Sequence, residues 1–266
     1  MAIQDLDKLT LIAAQAALKG GIEILDVYNN EETRIVVKGD DSPLTQADTR
    51  AHKAIMELLE PTGIPILSEE GKHLPFEQRS SWKRLWIVDP LDGTKEFIKR
   101  NGEFTVNIAL VENGAPIMGV VYVPVTGELY VGVRPYGSLK LTINAYAAIT
   151  DEDLNRGAQL PLKVDRPFTV VGSRSHMNTE TEEFLRSYRE KHGEVSILSK
   201  GSSLKMCLVA EGLADVYPRF APTMEWDTAA GQAVVEAAGF KMVEKDSRAP
   251  LRYNKKDLLN PHFIVL

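Results

Sequence analysis

Apolar positions early in the chain recur at helical spacing. Leu11, Ala14, Leu18, Ile22 and Leu25 fall three or four residues apart, which predicts a helix between Leu6 and Tyr28. The Gly20-Gly21 pair predicts a weak point or kink within it. A second stripe (Ala51, Ala54, Ile55, Leu58, Leu59) predicts a helix over 48–59, with Asp48 suited to cap its N-terminus. The pattern then shortens. Ile66-Leu67 and Leu85 to Val88 are brief apolar runs that stop at acidic segments. Thr105 to Val111, Pro116 to Val123 and Glu128 to Val133 read as strands joined by Asn113-Gly114 and Thr126-Gly127 turns, an antiparallel meander. Residues 134–165 are polar and marked by Gly and Pro, which predicts hairpins or loops leading between two halves.

Beyond them the pattern alternates. Strands at Thr169–Val171, Val195–Leu198 and Asp215–Tyr217 each precede a helix, over 180–191, 202–211 and 227–238, the last stopped by Gly239. The expected fold is therefore layered α+β / α/β, with α-β-α-β-α layers in two closely packed halves. Residues 1–165 would form an α+β half and residues 166–266 an α/β half.

Composition narrows the function. The 266 residues are 44% hydrophobic and 26% charged with a net charge of −6, ordinary for a globular chain and poorly suited to polymeric nucleic acid. The one cysteine, Cys207, sits in the apolar run Met206 to Ala210, which predicts a buried, inert thiol and excludes a cysteine-based metal site. No membrane-spanning run or signal segment is visible, so the expected location is the cytoplasm, with peripheral association at the inner membrane left open. Neither a dinucleotide-binding Gly-x-Gly-x-x-Gly loop nor a nucleotide-triphosphate phosphate loop is present.

The informative feature is where the acids fall. Ser68-Glu69-Glu70-Gly71 follows one apolar strand, Asp89-Pro90-Leu91-Asp92-Gly93-Thr94 follows another, and Trp226-Asp227 opens a late helix. Strand ends and helix starts line the clefts of layered α/β folds. Acids delivered there could converge on magnesium, which takes about six oxygen ligands at roughly 2.1 Å. Two such ions can clamp both oxygens of a phosphate ester undergoing displacement. Pro90 stiffens the turn, the Leu91 carbonyl is free to act as a ligand, Gly93 leaves room for a phosphate, and Thr94 starts a short helix.

These segments resemble the inositol monophosphatase superfamily of magnesium-dependent, lithium-sensitive phosphatases. The likeness runs from Ser42-Pro43-Leu44-Thr45-Gln46-Ala47-Asp48 to the Asp227 helix. Within it, Lys95-Glu96-Phe97 and the stretch onward to Asn107 are similar to the bisphosphate nucleotidase branch, where inositol phosphatases usually carry Thr-Asn-Phe. The resemblance implies that Glu69, Asp89, Asp92, Asp227 and the Leu91 carbonyl hold two or three magnesium ions. It implies that Glu70 orients the attacking water and that Asp48 and Thr94 position and deprotonate it, with the proton acceptor left open between them.

The implied substrate is a small nucleotide bisphosphate, adenosine 3′,5′-bisphosphate, hydrolysed at the 3′-phosphate to AMP. An inositol or small sugar phosphate is the alternative, and a non-catalytic binding protein the remote one. Gly93, Thr94, Ser173, His176, Ser202, Ser203, Lys205, Arg219 and Asp227 are the expected substrate contacts. Ser202 and Ser203 suit a plain helix cap equally well, and Arg219 a surface ion pair. Trp86, Phe104 and Trp226 are expected in the core or cleft wall. A monomer is the working expectation.

Overall fold

The computed structural model describes residues 3–30, 43–72, 74–144, 146–172 and 179–266. Its first half runs α1 (Ile3–Asn29), α2 (Pro43–Leu59), β1 (Ile66–Ser68), α3 (Phe76–Arg79), β2 (Arg84–Asp92), α4 (Thr94–Lys99), β3 (Thr105–Glu112), β4 (Ala115–Val123), β5 (Glu128–Val133), β6 (Gly137–Thr142), α5 (Asp151–Asn155) and β7 (Ala158–Leu160). The second runs β8 (Thr169–Gly172), α6 (Thr179–His192), β9 (Ser196–Ser199), α7 (Leu204–Ala210), β10 (Tyr217–Arg219), α8 (Glu225–Ala237), β11 (Met242–Glu244) and β12 (Phe263–Val265).

Strands β1 to β7 form one sheet in sequence order, with β1 and β2 parallel and every later pair antiparallel. Alternate residues of each strand serve opposite cores. Trp86, Val88, Val106, Ile108, Leu110 and Tyr122 face α1 and α2, while Leu85, Ile87, Ala109, Val111 and Val121 face α7 and α8. Because both faces are covered, these strands read as continuous apolar runs instead of alternating ones. Beyond α7 and α8 lies a second sheet layer. There β8 pairs with β9, Val170 bridges to Val216 just before β10, and β10, β12 and β11 follow. Leu185, Phe184 and Tyr188 of α6 cover its outer face against Val170, Val216 and Ile264. The layers are thus α-β-α-β-α.

Several elements differ from their sequence expectations. Helix α1 is continuous through Gly20 and Gly21, which are places of close approach: a Cβ on Gly20 would lie 2.9 Å from Ile55, and one on Gly21 2.4 Å from the Tyr122 ring. Helix α2 starts at Pro43, so Asp48 lies inside it and is not its cap. Of the hairpins or loops expected over 134–165, hairpin strands are found, since β6 and β7 extend the meander. Strand β10 begins at Tyr217, and Asp215 and Val216 just before it pair with β8, the Asp215 N–H donating to the Thr169 carbonyl and the Val171 N–H to the Val216 carbonyl, each at 2.8 Å. Strands β11 and β12 had no counterpart in the sequence pattern. The 165/166 division falls between β7 and β8. No helix among the described residues is long and apolar enough to cross a membrane.

Candidate active site

The parallel pairing of β1 with β2 brings their acidic ends side by side. Ser68 is in register with Val88, and the Glu69 N–H donates to the Val88 carbonyl at 3.1 Å, so Glu69 leaves the sheet next to Asp89. The acidic segment proves to be the end of β2 itself. Asp89 pairs with Asn107 and Asp92 with Thr105, with an irregular step over Pro90 and Leu91 between them. That step is held by the Asp89 carboxylate, which accepts the Leu91 N–H at 3.0 Å. Gly93 then turns the chain into α4 at φ +104°, a conformation costly for any residue with a Cβ. A Cβ there would also meet Phe104 at 3.2 Å and Ser202 at 3.3 Å, so the protein's own walls require the glycine.

From the other half, Asp227 sits in the first turn of α8, where its carboxylate accepts the Met224 N–H at 2.7 Å. Asp89, Asp92 and Asp227 each present a carboxylate oxygen, and the three lie within 4.8 Å of one another. Glu69 joins them through hydrogen bonds to Asp89 and to the Trp226 side chain.

Packing acids together out of water makes each harder to ionise. Burial pushes the Asp89 carboxyl well up, and the charges of Asp92, Glu69, Asp227 and Asp48 add to it. Asp227 is pushed up to about 7 by burial and Asp92. Asp48 is pushed up to about 8 by burial, then Glu70 and Glu69. Glu69 is raised chiefly by burial. A cluster of hard oxygen donors with this much unbalanced negative charge fits a divalent cation such as magnesium. No cysteine or histidine belongs to the triad, which disfavours softer metals.

The acids form one wall of a cavity of about 240 Å³. Glu69, Leu91, Gly93 and Thr94 line it together with the triad, and Ser202, Ser203, Lys205 and Arg219 line the same cavity. Lys205 is 8% exposed, and its Nζ donates to the Ser202 carbonyl at 2.7 Å. Arg219 donates to the Pro222 carbonyl at 3.2 Å and makes no ion pair among the described residues. Ser202 and Ser203 do not cap α7. Both hydroxyls donate to Asp92, and the Ser203 N–H reaches the same carboxylate oxygen at 2.8 Å.

Asp48 and Glu70 lie outside the cavity lining and act on the cluster through their charges. Ser173 and His176 lie outside the described residues. Trp86 and Phe104 are fully buried, Trp226 nearly so, and Cys207 is a buried thiol whose pKa burial pushes up. Two participants were not among the expected site residues, although they lie in the nucleotidase-like stretch that ends at Asn107: Thr105 and Asn107 of β3, which contact Ser202, Ser203 and Asp92. His52, one turn along α2 from Asp48, sits 3.0 Å from the Ser68 hydroxyl at the end of β1.

The sequence model of the inositol monophosphatase family matches residues 5–265. The chain is 46% identical to a 3′(2′),5′-bisphosphate nucleotidase CysQ of Escherichia coli (strain K12), with 94% of this chain and 96% of that protein covered. It is 32% identical to the protein of the same name from Haemophilus influenzae, over 98% and 92%. The crystal structure of CysQ from Bacteroides thetaiotaomicron, described as a bacterial member of the inositol monophosphatase family, superposes with a TM-score of 0.93 at 52% identity, covering 97% of each chain. An inositol monophosphatase from Zymomonas mobilis, at 24% identity and a TM-score of 0.75 over 100% of this chain and 93% of that one, shares the fold.

Proposed function

The chain belongs to the inositol monophosphatase family, and from that premise we propose that it is a 3′(2′),5′-bisphosphate nucleotidase. It would remove the 3′-phosphate of adenosine 3′,5′-bisphosphate to give AMP and phosphate, and act on the sulfated form as a second substrate. The observation that carries this reading is the mixed charge of the cavity lining, where the clustered carboxylates share one cavity with Lys205 and Arg219. A mononucleotide with two phosphates matches it, one phosphate at the cation-holding acids and one at the buried lysine and the arginine.

Glu69, Asp89, Asp92, Asp227 and the Leu91 carbonyl are the groups that would hold two or three magnesium ions. When bound, the ions neutralise the phosphoryl oxygens and lower the pKa of water. Thr94 lines the cavity at the start of α4, from where its hydroxyl would orient the attacking water with Glu70. The Asp48 carboxyl, pushed up to about 8 in the metal-free fold by burial, then Glu70 and Glu69, is one candidate acceptor for a proton of that water. Thr94 is the other candidate acceptor, relaying the proton through its hydroxyl. Water adds to phosphorus as the bond to the 3′-oxygen breaks, and that oxygen leaves with a proton as the hydroxyl of AMP. Ser202, Ser203, Lys205 and Arg219, with Ser173 and His176, complete the expected substrate side, and Gly93 keeps the floor clear.

Phosphate release from adenosine 3′,5′-bisphosphate and from inositol 1-phosphate, compared in magnesium buffer, tests the assignment. The bisphosphate should be favoured at least about tenfold in kcat/KM, equivalent to about 1.4 kcal/mol of transition-state binding. A tenfold preference for the inositol ester would sink it.

A further inference from the structure

The face of β3 turned toward α7 and α8 is apolar at Ala109 and Val111 but polar at Thr105 and Asn107, although Thr105 and Asn107 are as deeply buried, at 0% and 1% exposure. Polar groups placed so far from water are costly unless each finds a partner. Here the partners come from the far half of the chain. The Thr105 hydroxyl lies 2.6 Å from that of Ser202, and the Asn107 amide donates to the Ser203 hydroxyl at 2.7 Å.

Proton counting fixes the direction of both links. A carboxylate oxygen can only accept, so Ser202 and Ser203 each give their single hydroxyl proton to Asp92 Oδ2. With the Ser202 proton committed to Asp92, the 2.6 Å link is made by the Thr105 hydroxyl proton, which is shared with the Asn107 Oδ1 at 3.1 Å, while the Asn107 amide donates to Ser203. Two donor chains, Thr105 to Ser202 and Asn107 to Ser203, converge on one oxygen. That oxygen also takes the Ser203 N–H at 2.8 Å and the Asn107 amide at 3.4 Å. Four donors on Oδ2 leave Oδ1 as the oxygen for the cluster with Asp89 and Asp227.

We propose that Thr105 and Asn107 are positioning residues which, through Ser202 and Ser203, fix Asp92 for cation binding and couple that site to the phosphate-facing wall of the cavity. The coupling follows from connectivity. The Ser202 carbonyl that accepts Lys205 Nζ belongs to the residue whose hydroxyl holds Asp92, so an anion drawing on Lys205 and a cation drawing on Asp92 act on one loop. Linkage makes such an effect reciprocal: each ligand changes the affinity for the other by the same factor. The metal part rests on the acid cluster alone, whereas the coupling rests on the nucleotidase reading.

Calorimetric binding of magnesium, with and without AMP, provides the test. AMP supplies a nucleotide phosphate that cannot be turned over as the bisphosphate is. In the unaltered protein AMP should tighten magnesium at least about threefold, and magnesium should tighten AMP by the same factor. Thr105→Val keeps the shape and removes the donor; it should weaken magnesium about tenfold and bring the coupling factor close to one, as should Asn107→Leu. Thr105→Ser should restore both to within about threefold, which a purely packing role would not give, since serine lacks the methyl group. Where Thr105→Val does not fold, Asn107→Ser, with a side chain too short to reach Ser203, carries the same expectation. Unchanged magnesium affinity in folded Val and Leu variants overturns the positioning role, and a coupling factor of one in the unaltered protein overturns the coupling. Weakened magnesium without bisphosphate turnover in any form would instead reject the nucleotidase reading and leave the positioning role standing.

Discussion

Lys205 shows how burial sets chemistry at a single residue. It lies almost out of water beside the cavity, with Nζ tied to the Ser202 carbonyl. Burial pushes its pKa down from 10.5 to about 8, and Arg219 pushes the same way while Asp92 opposes. Its charge is therefore present below about pH 8 and lost above it. If Lys205 holds the second phosphate, KM for the bisphosphate should stay flat below about pH 8 and climb above it, with no such climb for inositol 1-phosphate. Lys205→Ala should remove the pH dependence and raise KM for the bisphosphate by roughly 10- to 100-fold, the worth of about 1.5–3 kcal/mol for a charged hydrogen bond. Steady-state assays on both substrates across pH 6 to 9.5 check this, and equal losses on both would overturn it. Asp92→Asn keeps the size but removes the charge that Asp89 and Asp227 complete. Magnesium-dependent phosphate release should fall by more than about 100-fold, and an undiminished rate in purified variant would refute the metal site.

Among the elements, α1 is the place where local and tertiary preferences conflict. Alanine is a better helix former than glycine by about 1 kcal/mol, so Gly21→Ala should stabilise an isolated helix. In the fold its Cβ would stand 2.4 Å from the ring of Tyr122, which is fully buried in β4 and has little freedom to retreat. Overpacking of this kind costs about 1–3 kcal/mol, so packing wins and the urea midpoint should drop; a rise would show that the ring moves aside without cost. The same conflict marks what could be read from the chain. Strands β1 to β5 were legible because apolar runs end at Asn113-Gly114 and Thr126-Gly127, and Glu69, Asp89, Asp92 and Asp227 because each closes or opens a periodic segment. The Gly20-Gly21 contacts were not, since Ile55 and Tyr122 come from other elements. Nor were Thr105 and Asn107, which look like strand interior until Ser202 and Ser203 are brought to them. Ser202 and Ser203 looked like caps because a hydroxyl before a helix usually serves the backbone, whereas here a distant carboxylate outcompetes it. Strands β11 and β12 have three residues each and exist through their pairing with each other and β10, information no local window contains.

For the whole molecule, the acid cluster makes stability depend on pH and on metal in opposite senses. Asp227 and Asp48 hold their protons to about pH 7 and 8 in the metal-free fold, against 3.8 for a free side chain, and Asp89 and Glu69 are raised as well. Between about pH 4 and 8 the native state therefore binds more protons than the unfolded chain, so stability must fall as pH rises through that window. The metal-stripped protein should have its Tm decline from pH 5 to pH 8. Magnesium takes the deprotonated cluster, so protons compete with it and its benefit grows as they leave. At a concentration about 100 times Kd it should contribute about 2.7 kcal/mol, or roughly 5–10 °C of Tm for a chain of this size, with less than half of that at pH 5. Thermal unfolding with chelator and with magnesium at the two pH values decides the matter. Asp227→Asn supplies the internal control, because it removes one of the raised acids: its metal-free Tm should decline less steeply with pH and its magnesium response should shrink. A larger magnesium shift at pH 5 than at pH 8 would mean that the cluster binds cations in its protonated form, which carboxylate coordination forbids.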